Sequence, residues 1–174
     1  MLSKSCFTLF SLCALISYIP QARAANIYVD ATASGANNGT NWADAYTNIH
    51  SAVADANATP GADNIYVAGG YYASTTSYVF TDPATFTGGM LYGIPTTLEN
   101  VSGTSAIMRV QGTDLDVTDV EFYNSRSHIV AEVSGIRFNK CYFMGARNGS
   151  VIARMCWLVR GDRCGFFDNG SQWD

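Results

Sequence analysis

The sequence predicts an all-β fold, a parallel β-solenoid in which similar coils stack on one another and one α-helix seals the N-terminal end. Three observations predict it. The apolar spacing of "LDVTDVEF" (115–122) returns in "IRFNKCYF" (136–143), twenty-one residues on, and again in residues 159–166 after a further twenty-three. No helical period fits inside the repeat, and a repeat just above twenty residues built only of strands marks a solenoid coil. Outward residues that played no part in finding this register also meet opposite charges: Asp116 falls over Arg137, Asp119 over Lys140 and Glu132 over Arg154.

In chain order, residues 1–24 read as a signal peptide. Lys4 gives the positive start, "CFTLFSLCALISYI" (6–19) the apolar core, Pro20 a helix break and Ala22-Arg23-Ala24 the small-x-small cleavage site. The apolar stretch is short for a membrane span, and the cleavage signature argues against a retained anchor. The mature chain is therefore expected to begin at Ala25, to keep no transmembrane segment and to work secreted, in a periplasm or on the outer cell surface. Without the signal, eight basic residues face fourteen acidic ones, and every basic residue lies between Arg109 and Arg163. An acidic chain with no basic run excludes a nucleic-acid binder. Cys141, Cys156 and Cys164 remain, an odd number, which rules out a complete disulfide framework.

Residues 25–72 form the opening unit. "NIYVD" alternates as a strand, and a loop rich in Gly and Asn follows. Trp42, Ala45, Tyr46, Ile49, Ala52, Val53 and Ala56 then share one face of a helix, which Asn41 would cap and Thr59-Pro60-Gly61 would stop. "NIYVAGGYY" (64–72) reads as the second strand. Coils occupy 73–174. The pattern is weak from Ala73 to Leu98, with turns at Asp82-Pro83 and Gly88-Gly89 and short bent strands in "FTGGMLYGIP". After it the rows superpose: Leu115 with Ile136 and Val159, Val120 with Cys141 and Cys164, Phe122 with Phe143 and Phe166. Val117 meets Phe138 and then Gly161, a departure. Upstream of each row, Met108, Ile129 and Val151 correspond, as do Val110, Ala131 and Ala153.

The stretch 26–72, with an opening strand, a helix and a first coil, resembles secreted right-handed parallel β-helix proteins of the pectate-lyase-like superfold. "FFDN" (166–169) and "GGML" (88–91) are similar to short motifs of polymorphic outer-membrane and autotransporter-type β-helices. The resemblance implies right-handed winding, a helix capping the N-terminal end of the apolar stack, and more coils than this chain holds. The fold is thus expected to be incomplete at its C-terminal end, either as a fragment of a longer protein or as a subunit whose open end a partner covers, self-association included. The family also includes polysaccharide lyases and hydrolases that use acidic residues, sometimes with Ca²⁺, and a basic proton acceptor.

Candidate sites follow from the charged columns. Asp116, Arg137 and Arg160 fall on one outward column, and Lys140 and Arg163 on the column above Asp119; these five basic and acidic positions are the candidate glycan contacts, with surface ion pairing between coils as the competing reading. Asp114, Asp116 and Asp119 could serve Ca²⁺-assisted chemistry, with surface ion pairing between coils as the favoured reading, and Asp30, Asn37, Asn38 and Asp44 offer oxygen donors without a calcium-loop spacing, so no cofactor or metal is assigned. His50 and His128 have no ligand at zinc spacing. Tyr66, Tyr71, Tyr72, Tyr78 and Tyr92 could stack on sugars or pack the core. No catalytic residue is assigned. The sequence is read as a surface or secreted module for adhesion or glycan contact, the N-terminal part of a larger protein, with the N-terminal fragment of a lyase or glycoside hydrolase acting on an acidic glycan as the alternative.

Overall fold

The computed structural model of the chain describes residues 24–91, 93–167 and 169. The signal-peptide reading of 1–24 and the reading of the last residues, 170–174, lie outside them but for Ala24. The chain enters through β1 (Asn26–Val29), crosses a long loop to α1 (Ile49–Ala58), and then winds. The first coil is β2 (Asp63–Val67), β3 (Gly70–Ser74) and β4 (Tyr78–Phe80). The second is β5 (Ala84–Gly88), β6 (Met90–Leu91), β7 (Ile94–Asn100) and β8 (Ala106–Gln111). Then come β9 (Asp114–Thr118), β10 (Val120–Ser125) and β11 (Ser127–Glu132), followed by β12 (Gly135–Asn139), β13 (Tyr142–Ala146) and β14 (Val151–Arg154). β15 (Leu158–Asp162) and β16 (Gly165–Phe167) begin the last coil described.

Each coil lends one strand to each of three parallel sheets: sheet I runs β1-β2-β5-β9-β12-β15, sheet II β3-β7-β10-β13-β16, and sheet III β4-β8-β11-β14. The stack is a parallel β-solenoid. Among the described residues, only the short β6 pairs antiparallel, with β7, as a hairpin.

The register is the one the repeat predicts. Leu115, Ile136 and Val159 are ladder neighbours on sheet I, Phe122, Phe143 and Phe166 on sheet II, and Met108, Ile129 and Val151 on sheet III. Parallel strands lie about 4.8 Å apart, so equal side chains meet face to face. The rings of Phe122 and Phe143 stack at 5.0 Å and 3°, and those of Phe143 and Phe166 at 4.8 Å and 9°. Phe138 fills the room left by Val117 and Gly161 in its column and meets Phe143 edge-on at 5.2 Å. Tyr72 and Leu98 continue the Phe column toward the N-terminal end.

The corners are also stacked. Gly112, Val133 and Met155 turn the chain from sheet III into sheet I with φ of 67°, 50° and 51°, and Asp119, Lys140 and Arg163 turn it into sheet II with φ of 54°, 51° and 52°. A left-handed residue bends the strand sharply while leaving its N–H free for the coil beside it. The Asp119 N–H donates to the Asn139 carbonyl, and that of Lys140 to the Asp162 carbonyl, each at 3.0 Å.

The helix begins later than its periodicity predicts. α1 starts at Ile49, capped by Asn48, whose Oδ1 accepts from the Ser51 N–H at 2.9 Å. Residues 42–44 and 47 are bends and turns and Tyr46 forms a β-bridge to Val29, because β1 has an edge to satisfy: the Tyr46 N–H donates to the Tyr28 carbonyl and its carbonyl accepts from the Asp30 N–H, both at 2.9 Å. Strand-edge hydrogen bonds outweigh a short extension of the helix. Trp42 is half exposed, and Asn41 instead closes a turn, accepting from Ala43 and Asp44. Within α1, Ile49, Ala52, Val53 and Ala56 are buried over β1, β2 and β4 and cover the N-terminal end of the core. "NIYVAGGYY" is likewise two strands, split at Ala68-Gly69 by the corner between sheets I and II.

At the other end, Val159 and Phe166, whose predecessors in the same columns are fully buried, are 48% and 58% exposed. The Asn169 side chain ties this coil down, accepting from the Ala146 N–H at 3.0 Å and donating to the Phe143 carbonyl at 2.9 Å. That is the physical work of the Phe-x-x-Asn spacing.

Candidate functional site

The five residues singled out from the sequence divide between two places. Asp116, Arg137 and Arg160 stand in register on the outer face of sheet I, and the Arg137 Nη1 lies 2.9 Å from Asp116 Oδ1. That carboxylate also raises the Arg137 pKa above its ordinary value, through the hydrogen bond first and the charge second. Lys140 and Arg163 occupy the corner between sheets I and II. Lys140 Nζ is 3.7 Å from Asp119 Oδ1, while Arg163 turns to Asp162 at 3.4 Å and donates to Asn139 Oδ1 at 2.9 Å. All three predicted pairs therefore form, the third being Glu132 with Arg154 at 3.4 Å. Of the five, Lys140 lines the cleft at this corner.

That cleft, about 620 Å³, runs along the same corner and is lined by Gly88, Gly89, Met90, Gly93, Pro95, Asp119, Val120, Glu121, Lys140 and Tyr142. One wall is the β6–β7 hairpin, which leaves the coil after Gly88-Gly89. A side chain at Gly88 would collide with the Asp119 carbonyl, and one at Gly69 with the backbone of Leu91 and Ile94, so the hairpin seats only against glycine. The buried Thr96 hydroxyl fastens its base: it accepts from the Gly89 N–H at 3.0 Å and lies 3.2 Å from the carbonyls of Val67, Ala68 and Gly89.

The opposite wall opens onto the outer face of sheet II. One column there reads Tyr71, Thr97, Glu121, Tyr142, and the next Ala73, Glu99, Tyr123, Met144, Phe167. Tyr71, Tyr123, Tyr142 and Phe167 are about half exposed, and Tyr142 and Phe167 lie ring over ring at 6.4 Å. Glu121 accepts from the Thr97 hydroxyl at 3.2 Å, and the nearly buried Glu99 from Asn124 Nδ2 at 2.8 Å. A shallower cleft of about 250 Å³ lies between Tyr123, Asn124, Met144, Gly145 and Phe167. Flat rings beside fixed carboxylates and a lysine can stack on an apolar ring face and hydrogen-bond its hydroxyls.

Among the described residues, Tyr71 is the one tyrosine from the earlier group that this face uses. Tyr72 and Tyr78 are buried, Tyr92 lies outside the described residues, and Tyr66 stacks on Tyr28 at 5.6 Å on sheet I. Tyr123, Tyr142 and Glu121 escaped sequence reading, although each sits at an outward position of the same repeat that placed Asp116 and Arg137.

The remaining candidates are engaged locally. Asp114 Oδ1 accepts from the Trp157 indole at 3.1 Å. Asp44 accepts from the Ala36 N–H at 2.8 Å and from Asn41 at 2.9 Å, which holds its pKa below the ordinary carboxylate value. Among the described residues, no cluster of three or more His, Cys, Asp or Glu could hold a metal ion. His50 bonds Ser74 Oγ at 2.8 Å and ties α1 to the first coil. His128 is fully buried beside the stacked Phe122 and Phe143 rings, 6.0 and 5.7 Å from them, where burial pushes its pKa down to about 4; its Nε2 meets the Met144 carbonyl at 3.0 Å.

No helix among the described residues is long and apolar enough to cross a membrane. No family model, curated protein or solved structure matches the chain.

Proposed function

We propose that the chain is a secreted or cell-surface β-helix module that contacts glycans through the outer face of sheet II, as part of a larger right-handed, pectate-lyase-like architecture. One observation carries this reading: a cleft of about 620 Å³ in which Tyr142 stands beside Asp119, Glu121 and Lys140, on a face that also exposes Tyr71, Tyr123 and Phe167. Exposed aromatics in one continuous patch are unusual on a free surface and suit a ring-shaped partner. The strands beneath hold them rigidly, so little side-chain freedom is lost on binding. The glycan-contact reading of Asp116, Arg137, Arg160 and Arg163 is carried less far, since these residues lie outside the lining of that cleft and Asp116, Arg137 and Arg163 are engaged with neighbours.

The test is binding of the full chain to a panel of immobilised polysaccharides. Tyr142→Ala is expected to weaken the best binder by about fivefold, in line with roughly 1 kcal/mol for an aromatic contact. Wild-type binding unaffected by Tyr142→Ala and Tyr123→Ala together would refute the reading.

A second reading keeps the same cleft. Two carboxylates and a lysine within it are the groups an acidic-glycan lyase needs, Lys140 as proton acceptor. Release of unsaturated ends from pectate or alginate, followed in the near ultraviolet and abolished by Lys140→Met, would establish it. Self-association is the alternative to further coils at this end: among the described residues, the edge strands β14, β15 and β16 and the exposed Val159 and Phe166 present a surface on which a second copy can stack. Sedimentation over a concentration series tests this.

A further inference from the structure

Sheet III carries a second cleft, on a different face and of opposite character. It encloses about 510 Å³ and is lined by Arg109, Arg126 and Arg154 together with Glu132 and the polar groups of Thr104, Ser105, Ser127 and Asn148. The coil register assembles it. Arg109 stands over Val130 and Ile152, and Gln111 over Glu132 and Arg154, so side chains from three successive coils converge on one patch. Arg126 reaches the rim from the corner between β10 and β11, where the Asn148 N–H donates to its carbonyl at 2.8 Å and stacks the next coil beneath it.

The charges do not cancel. Glu132 Oε1 is shared between Arg109 at 3.8 Å and Arg154 at 3.4 Å, and among the described residues Arg126 has no carboxylate within ion-pair distance. Three guanidinium groups against one carboxylate leave the cleft cationic in a chain whose overall charge is −4. Arginine, unlike lysine, presents a planar fork of donors that matches two oxygens of one anion. The hydroxyl and amide groups of Thr104, Ser105, Ser127 and Asn148 supply neutral donors around it.

We infer that the sheet III cleft is a binding site for an oxyanion carried on a polymer, a sulfate ester or a uronate carboxylate of an acidic glycan, gripped by Arg126 with Arg109 and Arg154. The site stands apart from the tyrosine-lined cleft by face, by lining and by chemistry, and does not depend on it.

The full chain is titrated calorimetrically with sodium sulfate, with a sulfated oligosaccharide, with the same oligosaccharide after desulfation, and with an oligogalacturonate. Binding of the sulfated form over the desulfated one assigns a sulfate ester, and binding of the oligogalacturonate assigns a carboxylate; affinity falls with added sodium chloride in either case. Arg126→Gln, an exposed change that leaves thermal unfolding in place, weakens the bound anion about tenfold, as expected for losing a charge-assisted hydrogen bond. Arg109→Gln with Arg154→Gln weakens it further. Equal affinity for sulfated and desulfated chains without oligogalacturonate binding overturns the inference. So does an Arg126→Gln protein that binds as the wild type does, or a tight duplex-DNA complex that outcompetes every glycan.

Discussion

Replacing Phe143 by alanine tests the stacked architecture most directly. Phe143 is fully buried and touches aromatic rings on every side: Phe122 at 5.0 Å, Phe166 at 4.8 Å, Phe138 at 5.2 Å and His128 at 5.7 Å. Removing a core Phe costs about 3–5 kcal/mol from lost burial and the cavity left behind. The flanking coils are fixed by their own ladders and cannot collapse into the space, so a value near the top of that range, about 4 kcal/mol, is expected. Phe166 occupies the same column one coil on but is 58% exposed, and its truncation should cost about 1 kcal/mol. The assay is urea unfolding followed by circular dichroism, with ΔG from linear extrapolation, on wild type, Phe143→Ala and Phe166→Ala. A solenoid can lose terminal coils separately, so near-ultraviolet and far-ultraviolet signals are compared for coincidence. Costs for the two variants within about 0.5 kcal/mol of each other, or a Phe143→Ala cost below about 1.5 kcal/mol, would refute the single-file aromatic column.

Three further predictions concern groups at defined depths. His128 is held neutral in the fold with its pKa lowered from 6.5 to about 4 by burial. Its contribution is therefore fully present above pH 6.5 and lost as pH falls from 6.5 toward 4, by ~3 kcal/mol; His128→Gln should show a smaller difference between melts at pH 7.5 and pH 4.5, and an equal drop would remove His128 as the cause. Val133 holds a β-branched side chain at φ 50° where the preceding coil has Gly112, so Val133→Gly should raise stability by about 1 kcal/mol, read as a higher melting temperature. Burial pushes the Cys141 thiol up to about 12, whereas Cys156 and Cys164 are only partly buried. Native iodoacetamide labelling at pH 8, read by mass spectrometry, should modify the latter two and spare Cys141 until urea is added.

Legibility of the site followed the physics of outward positions. The pairs Asp116 with Arg137 and Asp119 with Lys140 were readable because opposite charges announce a register when they fall one coil apart. Tyr142 and Glu121 were not, since a tyrosine at an outward position carries no signal until the sheet shows which other rings share its face. The two clefts were less readable still. One depends on a hairpin leaning over a corner and the other on arginines from three coils, so neither corresponds to a run of neighbouring residues.

By itself the sequence determined the strand content, the register of the last three coils and the stacking of like on like, because a parallel ladder requires equivalent residues to recur at a near-constant interval. The interval breaks where the β6–β7 hairpin is inserted: Ala84 pairs with Leu115 across thirty-one residues and Tyr78 with Met108 across thirty. There the repeat blurred although the ladder continued, since hydrogen bonds register strands in space and not along the chain. The start of α1 was likewise decided by the fold, for the edge of β1 needed the Tyr46 backbone that a helix would have consumed. Only the tertiary structure decided which outward residues share a surface, because that depends on which of three faces each strand joins.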